Sequence, residues 1–326
     1  MGDSAAFRRA LICGISGQDG AYLAQLLQAK GYEVWGTSRN AQTNDFAGLR
    51  ALGVLRQINL LSMSPVDFPD VLRVISEIRP HEIYNMSGQS SVGLSFERPL
   101  DAMDSIALAT LNLLEAIRVV DPSIRFCNAG SGECFGDTGA VPADENTPFH
   151  PRSPYAIAKA AATWQVALYR ESYGLFACTG ILFNHESPLR PEGFVTRKIV
   201  AAACRIARGS QEKLTLGNID IRRDWGWAPE YVDPLWRMLN REDPGDFVIA
   251  TGVMQSLQDF IIAVFSEAKL HWRSHVASNP ELRRPSDPME CRANPEKASK
   301  LLAWTASCIG TDIAKRMYAA ECARSQ

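Results

Sequence analysis

The sequence lacks an excess of charge of either sign and any long apolar run. Its 34 basic and 36 acidic side chains give a formal net charge of −2 over 326 residues, which excludes the basic surface that nucleic acids or anionic membranes require. No run approaches the roughly 18 apolar residues of a membrane span. The start, "MGDSAAFRRALICG", runs into a predicted strand and not into a signal peptide. We therefore expect a soluble, cytoplasmic protein that binds neither nucleic acid nor membrane.

The sequence also lacks the cysteine patterns of metal sites and disulfide frameworks. Its eight cysteines are scattered, without a C-x-x-C pair or a paired histidine spacing. We interpret most of them as buried apolar residues and predict neither disulfides nor a bound metal. Internal repeats and low-complexity tracts are absent as well. The chain is long enough to bury a substantial core.

The chain does contain a regular alternation of apolar strands and helices up to about residue 184. Strands separated by helical patterns predict right-handed crossovers and a doubly wound parallel sheet of the Rossmann type. We assign residues 1–183 to this dinucleotide-binding domain, completed by parts of 222–253, and residues 184–326 to a smaller C-terminal substrate-binding α/β domain. The predicted strands are 10–15, 32–37, 54–59, 81–86, 124–130, 176–184 and 246–252, and the predicted helices are 18–31, 66–80, 98–120, 154–173, 194–208 and 294–303.

Three glycines lie where the first strand passes into the first helix, in "ICGISGQDGAYLAQLL". Gly14, Gly17 and Gly20, with Gln18 and Asp19 between the last two, let the backbone and the helix N-terminus approach a pyrophosphate, which a Cβ would obstruct. The spacing differs from G-x-G-x-x-G, and an ordinary tight turn remains an alternative. Its place on the first strand–helix junction favours cofactor binding.

The next strand ends at "GTSRN", where an NAD site usually offers an acid to the ribose hydroxyls. Arg39 stands there instead, after two small hydrogen-bonding residues. A cation at this point suits a 2′-phosphate, so the sequence favours NADP over NAD. A solvated surface arginine is the alternative.

The stretch "SPYAIAKAA" carries the first sign of catalysis. Tyr155 and Lys159 are four residues apart in a predicted helix and share one face. An ammonium beside a phenol favours the phenolate, a base that takes a hydroxyl proton while hydride leaves the same carbon. This Tyr155/Lys159 pair lies downstream of a dinucleotide loop and after a strand that leads to Ser131. The combination resembles that of the extended branch of the short-chain dehydrogenase/reductase superfamily.

Within that branch the sequence is similar to the GDP-mannose 4,6-dehydratase family over nearly its whole length. The segments that carry the resemblance include "HEIYNMSGQSSVGLSFERP", "PFHPRSPYAIAKA", "GILFNHESP", "GFVTRKI" and "LTLGNIDIRRDWGWAPEYV". The resemblance implies a lyase that oxidises C4 of GDP-mannose, eliminates water across C5 and C6, and returns hydride to C6. It implies that Ser131, Glu133, Tyr155 and Lys159 catalyse the reaction, with Glu133 as the C5 base.

The same resemblance implies further contacts by motif matching. The residues expected near the cofactor, besides the glycine loop, Arg39 and the Tyr155/Lys159 pair, are Asn59, Leu60, Ser87, Gln89, His185 and Arg190. Those expected near the nucleotide sugar, besides Ser131 and Glu133, are Asn184, Lys198, Arg223, Arg284 and Asp287. Taken singly, Lys198, Arg223 and Arg284 are also compatible with a solvated surface.

The sequence departs from the family pattern around the proposed catalytic residues. The family's Ser-Thr-Ser-Glu-Leu-Tyr run is here Gly-Ser-Gly-Glu-Cys-Phe over 130–135, and we expect Gly130 and Gly132 to loosen this loop. Asn59 replaces an aspartate, Leu189 replaces an arginine, and Asp287 replaces a glutamate.

The segment after Arg39 lacks the arginine and serines through which family members form tetramers. We therefore expect a homodimer built from the helices at 98–120 and 154–173, with a tetramer as the alternative.

Two other functions remain open from the sequence. A nucleotide-sugar 4-reductase or 4-epimerase needs Tyr155 and Lys159 but no C5 base, so it leaves Glu133 unexplained. A catalytically silent NADP-binding protein leaves all four proposed catalytic residues unexplained.

Overall fold

The computed structural model describes residues 8–282 and 284–324. No helix in these ranges is long and apolar enough to cross a membrane. The strands are β1 (Arg9–Cys13), β2 (Glu33–Ser38), β3 (Asn59–Ser62), β4 (Glu82–Asn85), β5 (Arg125–Ala129), β6 (Ala177–Leu182), β7 (Asn184–Glu186), β8 (Leu214–Leu216), β9 (Arg222–Trp227), β10 (Phe247–Ile249), β11 (Met254–Ser256), β12 (Val276–Ser278) and β13 (Glu290–Cys291).

Helices connect most of these strands. The α-helices are α1 (Gln18–Ala29), α2 (Ala47–Ala51), α3 (Phe68–Ile78), α4 (Val92–Glu97), α5 (Pro99–Ala102), α6 (Ala109–Val120), α7 (Pro154–Tyr173), α8 (Val195–Ala207), α9 (Ala228–Leu239), α10 (Leu257–Glu267), α11 (Glu296–Leu302) and α12 (Thr311–Arg324). Short 3-10 helices span Leu55–Gln57, Gly132–Phe135, Trp272–Ser274 and Pro280–Leu282, and a π-helical turn spans Met103–Leu108.

The main sheet has seven strands in the order β3-β2-β1-β4-β5-β6-β10. The neighbouring pairs from β3 to β6 are all parallel, so the predicted doubly wound Rossmann-type sheet is confirmed. The direction of winding reverses between β1 and β4. In such sheets a ligand binds beyond the carboxyl ends of the strands at this reversal. Those ends lead into Gly14 after β1 and Ser87 after β4, with Ser131 following the adjacent β5.

The chain divides into two compact units. The first comprises the residues up to Ser131, with Pro154–Ile181 and Val232–Phe247, and the second comprises Gly132–Ser153, Leu182–Tyr231 and Val248 onward. In the first unit, α3 and α6 pack apolar faces on the strands around Leu11 and Phe126. In the second, α8, α10 and α12 bury a core around Trp225 and Phe260. The helices that pack on each core have the apolar periodicity of half-buried helices.

Two predicted elements differ from the structure. The strand predicted over 54–59 is wrong, because Leu55–Gln57 forms a 3-10 turn and β3 begins only at Asn59. Val54 and Ile58 are buried whereas Arg56 between them is exposed, and a strand would place all three on one face. The helix predicted over 98–120 is interrupted by the π-helical turn at Met103–Leu108.

Candidate active site

The three glycines of the first strand–helix junction have different surroundings. A Cβ on Gly14, where φ is +82°, would lie 2.7 Å from the Met86 carbonyl oxygen, and one on Gly20 would lie 2.5 Å from the Gly14 carbonyl oxygen. These two glycines are therefore required by backbone packing. Gly17 is exposed, begins α1 without a side-chain cap, and would meet only the Gly14 oxygen, at 3.4 Å. Its open surface at a helix N-terminus fits a phosphate group.

The loop after β4 is held by polar contacts from two directions. Ser87 Oγ donates to Asn85 Oδ1 at 2.6 Å, and Gln89 N donates to Ser105 Oγ, on the π-helical turn, at 3.1 Å. Gln89 Nε2 donates to the Ser91 carbonyl oxygen at 2.6 Å, whereas Gln89 Oε1 is buried without a hydrogen-bond partner. A buried orphan acceptor is costly unless a ligand or water satisfies it. This loop therefore fits a bound polar group.

Arg39 follows β2 on an exposed surface. No ion pair or hydrogen bond joins its side chain to another residue within 8–282 or 284–324. Asn59 and Leu60 lie on the adjacent β3, in register with Trp35 and Gly36 of β2. The guanidinium is thus available to an anion at the carboxyl end of β2.

Tyr155 and Lys159 lie on α7, as predicted. Lys159 is buried, and its Nζ donates to the carbonyl oxygen of Ala129 at 2.7 Å. The same Nζ lies 5.9 Å from the centre of the Tyr155 ring. Ala129 ends β5 and Ser131, also buried, follows two residues later. The Lys159 hydrogen bond therefore fixes the first turns of α7 against the strand end that leads to Ser131.

The two glycines beside Ser131 do not loosen the loop, which corrects the sequence-based expectation. A Cβ on Gly130 would lie 2.6 Å from Thr179 Cγ2, and one on Gly132 would lie 2.8 Å from Phe183 Cδ2. Both glycines are buried. No larger residue fits at either position, because neighbouring groups occupy the space that a side chain would need. Such close packing restrains the backbone.

Glu133 lies in the second unit beside a buried arginine. Arg223 Nε is 3.8 Å from Glu133 Oε1, and its Nη2 donates to Asp287 Oδ1 at 2.8 Å. Arg284 Nη1 is 3.5 Å from the same Asp287 oxygen. The Arg223 side chain is only 3% exposed, against 36% for that of Arg284. Four predicted residues thus form one connected charged cluster.

Asn184, His185 and Arg190 lie on or just after β7, which pairs with β9 next to Arg223. His185 is buried, stacks on Tyr231 with ring centres 4.7 Å apart, and contacts the Phe183 carbonyl oxygen through Nδ1 at 2.6 Å. Arg190 donates to the His185 carbonyl oxygen and, through Nε, to Glu186 Oε2 at 2.8 Å. Arg190 is therefore already charge-paired.

Lys198 is not brought into this cluster. It lies exposed on α8, and no ion pair or side-chain hydrogen bond involves it in the described ranges. Its neighbour Arg197 is buried and pairs with Glu321 of α12 at 2.5 Å. Within residues 8–282 and 284–324, no group of three or more His, Cys, Asp and Glu side chains is placed to hold a metal ion.

A sequence model of GDP-mannose 4,6 dehydratase matches residues 11–317. The chain belongs to the GDP-mannose 4,6-dehydratase family. GDP-mannose 4,6 dehydratase 1 of Arabidopsis thaliana is 44% identical over 305 residues, covering 90% of this chain and 84% of that protein. The GDP-mannose 4,6-dehydratase of Vibrio cholerae is 46% identical over 263 residues, or 78% and 70% of the two chains.

Solved structures share the fold of this GDP-mannose 4,6-dehydratase family member. A dTDP-glucose 4,6-dehydratase of Streptomyces venezuelae, with NAD bound, superposes with a TM-score of 0.85 at 18% identity over 96% of both chains. A UDP-glucose 4-epimerase of Thermotoga maritima gives 0.84 at 21% identity over 97% of this chain and 99% of that one. RMD of Pseudomonas aeruginosa, complexed with NADPH, gives 0.79 at 21% over 98% of both.

Three supporting residues of this family member were not identified from the sequence. Asn85 accepts from Ser87 and donates to Thr110 and Asn128, at 3.1 Å each. A polar residue closing an apolar strand was the available signal. Phe183 and Cys291 contact Gly132, and nothing in their local sequence indicates that contact.

Proposed function

We propose that this chain is an NADP-dependent hydro-lyase that converts GDP-mannose to GDP-4-keto-6-deoxymannose. The proposal depends most on one observation: a sequence that matches the family over 11–317 retains a carboxylate, Glu133, two residues beyond Ser131. Two residues span at most about 7 Å of extended chain. The carboxylate is therefore kept close to the serine assigned to the sugar 4-oxygen.

Tyr155 is assigned as the base that takes the proton of the sugar 4-hydroxyl. Lys159 supports the phenolate electrostatically from the next turn of α7, and its hydrogen bond to Ala129 fixes its ammonium near the ring. Ser131 hydrogen-bonds the same sugar oxygen and stabilises the ketone as it forms. The three side chains together carry the first half of the reaction.

Glu133 is assigned to the second half. The 4-ketone acidifies the C5 proton, which Glu133 removes, and the protonated carboxyl then assists departure of the C6 hydroxyl as water. Arg223 Nε lies 3.8 Å from one oxygen of this carboxylate. A reductase or an epimerase has no use for such a group.

The described residues fit a nicotinamide cofactor. Gly17 provides the open helix N-terminus, with Gln18, Asp19 and the close-packed Gly14 and Gly20 forming its turn. When bound, NADP would accept hydride from C4 and later supply it to C6. Arg39 offers a cation to the 2′-phosphate, and Gln89 Oε1 offers an unused acceptor. The other residues assigned near the cofactor are Asn59, Leu60, Ser87, His185 and Arg190.

Nucleotide-sugar binding is assigned to the charged cluster of the second unit. Arg223 and Arg284 both contact Asp287, so the cluster holds, besides Glu133, two guanidinium groups suited to a diphosphate and one carboxylate suited to hydroxyl groups. Asn184 lies on the strand beside Arg223, and Lys198 offers an exposed cation on α8. We assign these five residues to the substrate.

The test is incubation of the purified chain with NADP⁺ and, separately, GDP-mannose, dTDP-glucose and UDP-glucose. The proposal predicts a product of GDP-mannose lighter by one water, with no net change in reduced cofactor. A product that keeps its C6 hydroxyl while NADPH is consumed would show a reductase, and an isomeric product would show an epimerase. Cofactor binding without turnover of any sugar nucleotide would contradict all three activities.

A further inference from the structure

The turn that carries Glu133 rests on a cluster of aromatic rings in the second unit. This turn is the 3-10 helix Gly132–Phe135. Phe183 stacks on Phe135 with ring centres 6.0 Å apart, and Phe149 meets Phe135 edge-on at 5.1 Å. Because Phe135 belongs to the turn itself, the other two rings restrain the turn from beneath.

The closest approach in this cluster is between the Phe183 ring and Gly132. A Cβ on Gly132 would lie 2.8 Å from Cδ2 and 2.9 Å from both Cε2 and Cγ of that ring. Carbon atoms pack best at about 3.5–4.0 Å. The ring therefore occupies the space that any side chain larger than hydrogen would need.

The ring has little freedom to move away. Phe183 is 2% exposed, and its backbone N–H donates to the Ile249 carbonyl oxygen at 3.0 Å. The conflict involves Cγ as well as the ring edge, so a small rotation about the Cβ–Cγ bond does not relieve it. An alanine at 132 would instead displace the turn.

Three hydrogen bonds hold the turn at other points. The Cys291 thiol donates to the Gly132 carbonyl oxygen at 3.5 Å, and burial raises the pKa of Cys291 to about 12, which keeps it a donor. The His150 N–H donates to the Cys134 carbonyl oxygen at 2.8 Å, and the Gly136 N–H to that of Glu133 at 3.2 Å. Gly132 is thus fixed between a ring and a thiol, one residue before the proposed base.

We propose that Phe183 is a positioning residue for Glu133, acting through its contact with Gly132. The ring and the glycine form a matched pair in which neither is replaceable alone. The inference rests on the proposed function, because it assigns the pair to the C5 proton-transfer step. We expect Phe183 and Gly132 to fix the position of the Glu133 carboxylate and to take no part in cofactor binding.

The experiment begins with Gly132→Ala in the full chain. A displacement of about 1 Å at a reacting group costs on the order of 100-fold in rate, so C5 exchange with deuterated water should slow by about that factor in single turnover. The affinity for NADP⁺ should stay within about threefold, because the proposed cofactor contacts do not involve Glu133, and the KM for GDP-mannose should change by much less than kcat. Gly245→Ala is the matched control, since its Cβ would meet only Phe247 Cε2 at 3.8 Å.

Rescue separates positioning from simple destabilisation. Phe183→Ala removes Cγ together with the ring, and Phe183→Val, whose two Cγ atoms can be turned away from Gly132, is the second choice if the first variant does not fold. In either background, Gly132→Ala should slow C5 exchange by less than about threefold, a non-additivity expected of residues in contact. Thermal unfolding of every variant shows whether each is folded at the assay temperature.

The outcomes distinguish this inference from the proposed function. A wild-type chain that yields no 6-deoxy product refutes the proposed function. A wild-type chain that yields it, with Gly132→Ala exchanging C5 at the wild-type rate, refutes the positioning role alone. An equal loss from Gly132→Ala with and without the Phe183 ring also refutes it, because the contact would then carry none of the effect.

Discussion

Replacing Arg223 with methionine tests whether the charged cluster around Glu133 is a connected unit. The Arg223 side chain is 3% exposed and lies 2.8 Å from Asp287 Oδ1 and 3.8 Å from Glu133 Oε1. Methionine keeps much of the volume and removes the charge. Two carboxylates would then share a mostly buried region without their nearest cation.

The expected loss of unfolding free energy depends on the charges that remain after Arg223→Met. Breaking a buried ion pair by removing one partner costs about 3–5 kcal/mol. Arg284 still lies 3.5 Å from Asp287, and the two carboxylate side chains are 17% and 13% exposed. Both facts reduce the penalty, so we expect the lower end, about 3 kcal/mol of unfolding free energy. Neutralising Asp287 as well, in Arg223→Met with Asp287→Asn, should recover about half of that loss.

The assay is urea unfolding without nucleotide, followed by titration with GDP. The neighbouring Arg222→Met is the matched control, because its side chain is 43% exposed and lies 3.7 Å from Glu290; it should cost less than about 0.5 kcal/mol. Arg223→Met should also weaken GDP binding, since it removes a guanidinium that we propose contacts the diphosphate. An Arg223→Met chain as stable as the Arg222→Met control would refute the reasoning.

Four further predictions follow from the same structure. Arg39→Ala should weaken NADP binding by about 10- to 100-fold and leave NAD binding unchanged; equal losses for both cofactors would reject the phosphate contact. Tyr155→Phe should lower kcat by about 10² to 10⁴ with an unchanged circular dichroism spectrum, whereas a loss below about tenfold would remove it as the base. The exposed apolar residues of α7, including Trp164 at 59%, should cover a second copy of the chain, so light scattering should give a dimer that Trp164→Glu converts to monomer; a wild-type mass of one or four chains would contradict this. Burial raises the pKa of Asp224 to about 6, although hydrogen bonds from Thr251 and Gly252 lower it, so the stability that its protonated form contributes is fullest below pH 4 and is lost as the pH rises through 6. The unfolding free energy of wild type should therefore fall by about 1 kcal/mol more than that of Asp224→Asn between pH 5 and pH 7. Parallel pH profiles of the two proteins would argue against the raised pKa.

The bounds of helices such as α7 and α1 could be predicted because their signals are local. Pro154 begins α7 and Gly174, with φ at +68°, follows its last residue, which is the usual placement of proline and glycine at helix ends. Gly31, with φ at +81°, similarly follows α1. The alternation of such helices with apolar strands was sufficient to predict a parallel, doubly wound sheet.

The remaining features depend on contacts between distant parts of the chain. From the sequence, Gly132 predicts a loose loop, but in the structure it is tightly packed. The atoms that pack against it belong to Phe183, which is distant in the chain. Arg223 fits a solvated or ligand-binding cation in the sequence, and its pairing with Asp287 spans 64 residues. The π-helical turn at Met103–Leu108 has no local signal that distinguishes it from an ordinary helix.

The most direct test of the dehydratase account uses GDP-mannose carrying deuterium at C4. If Tyr155 initiates oxidation at C4 and Glu133 then drives elimination across C5 and C6, the label should appear at C6 of a 6-deoxy product within the same molecule. No labelled reduced cofactor should accumulate. Label recovered in free reduced cofactor, or retained at C4 of a sugar that keeps its C6 hydroxyl, would contradict the account.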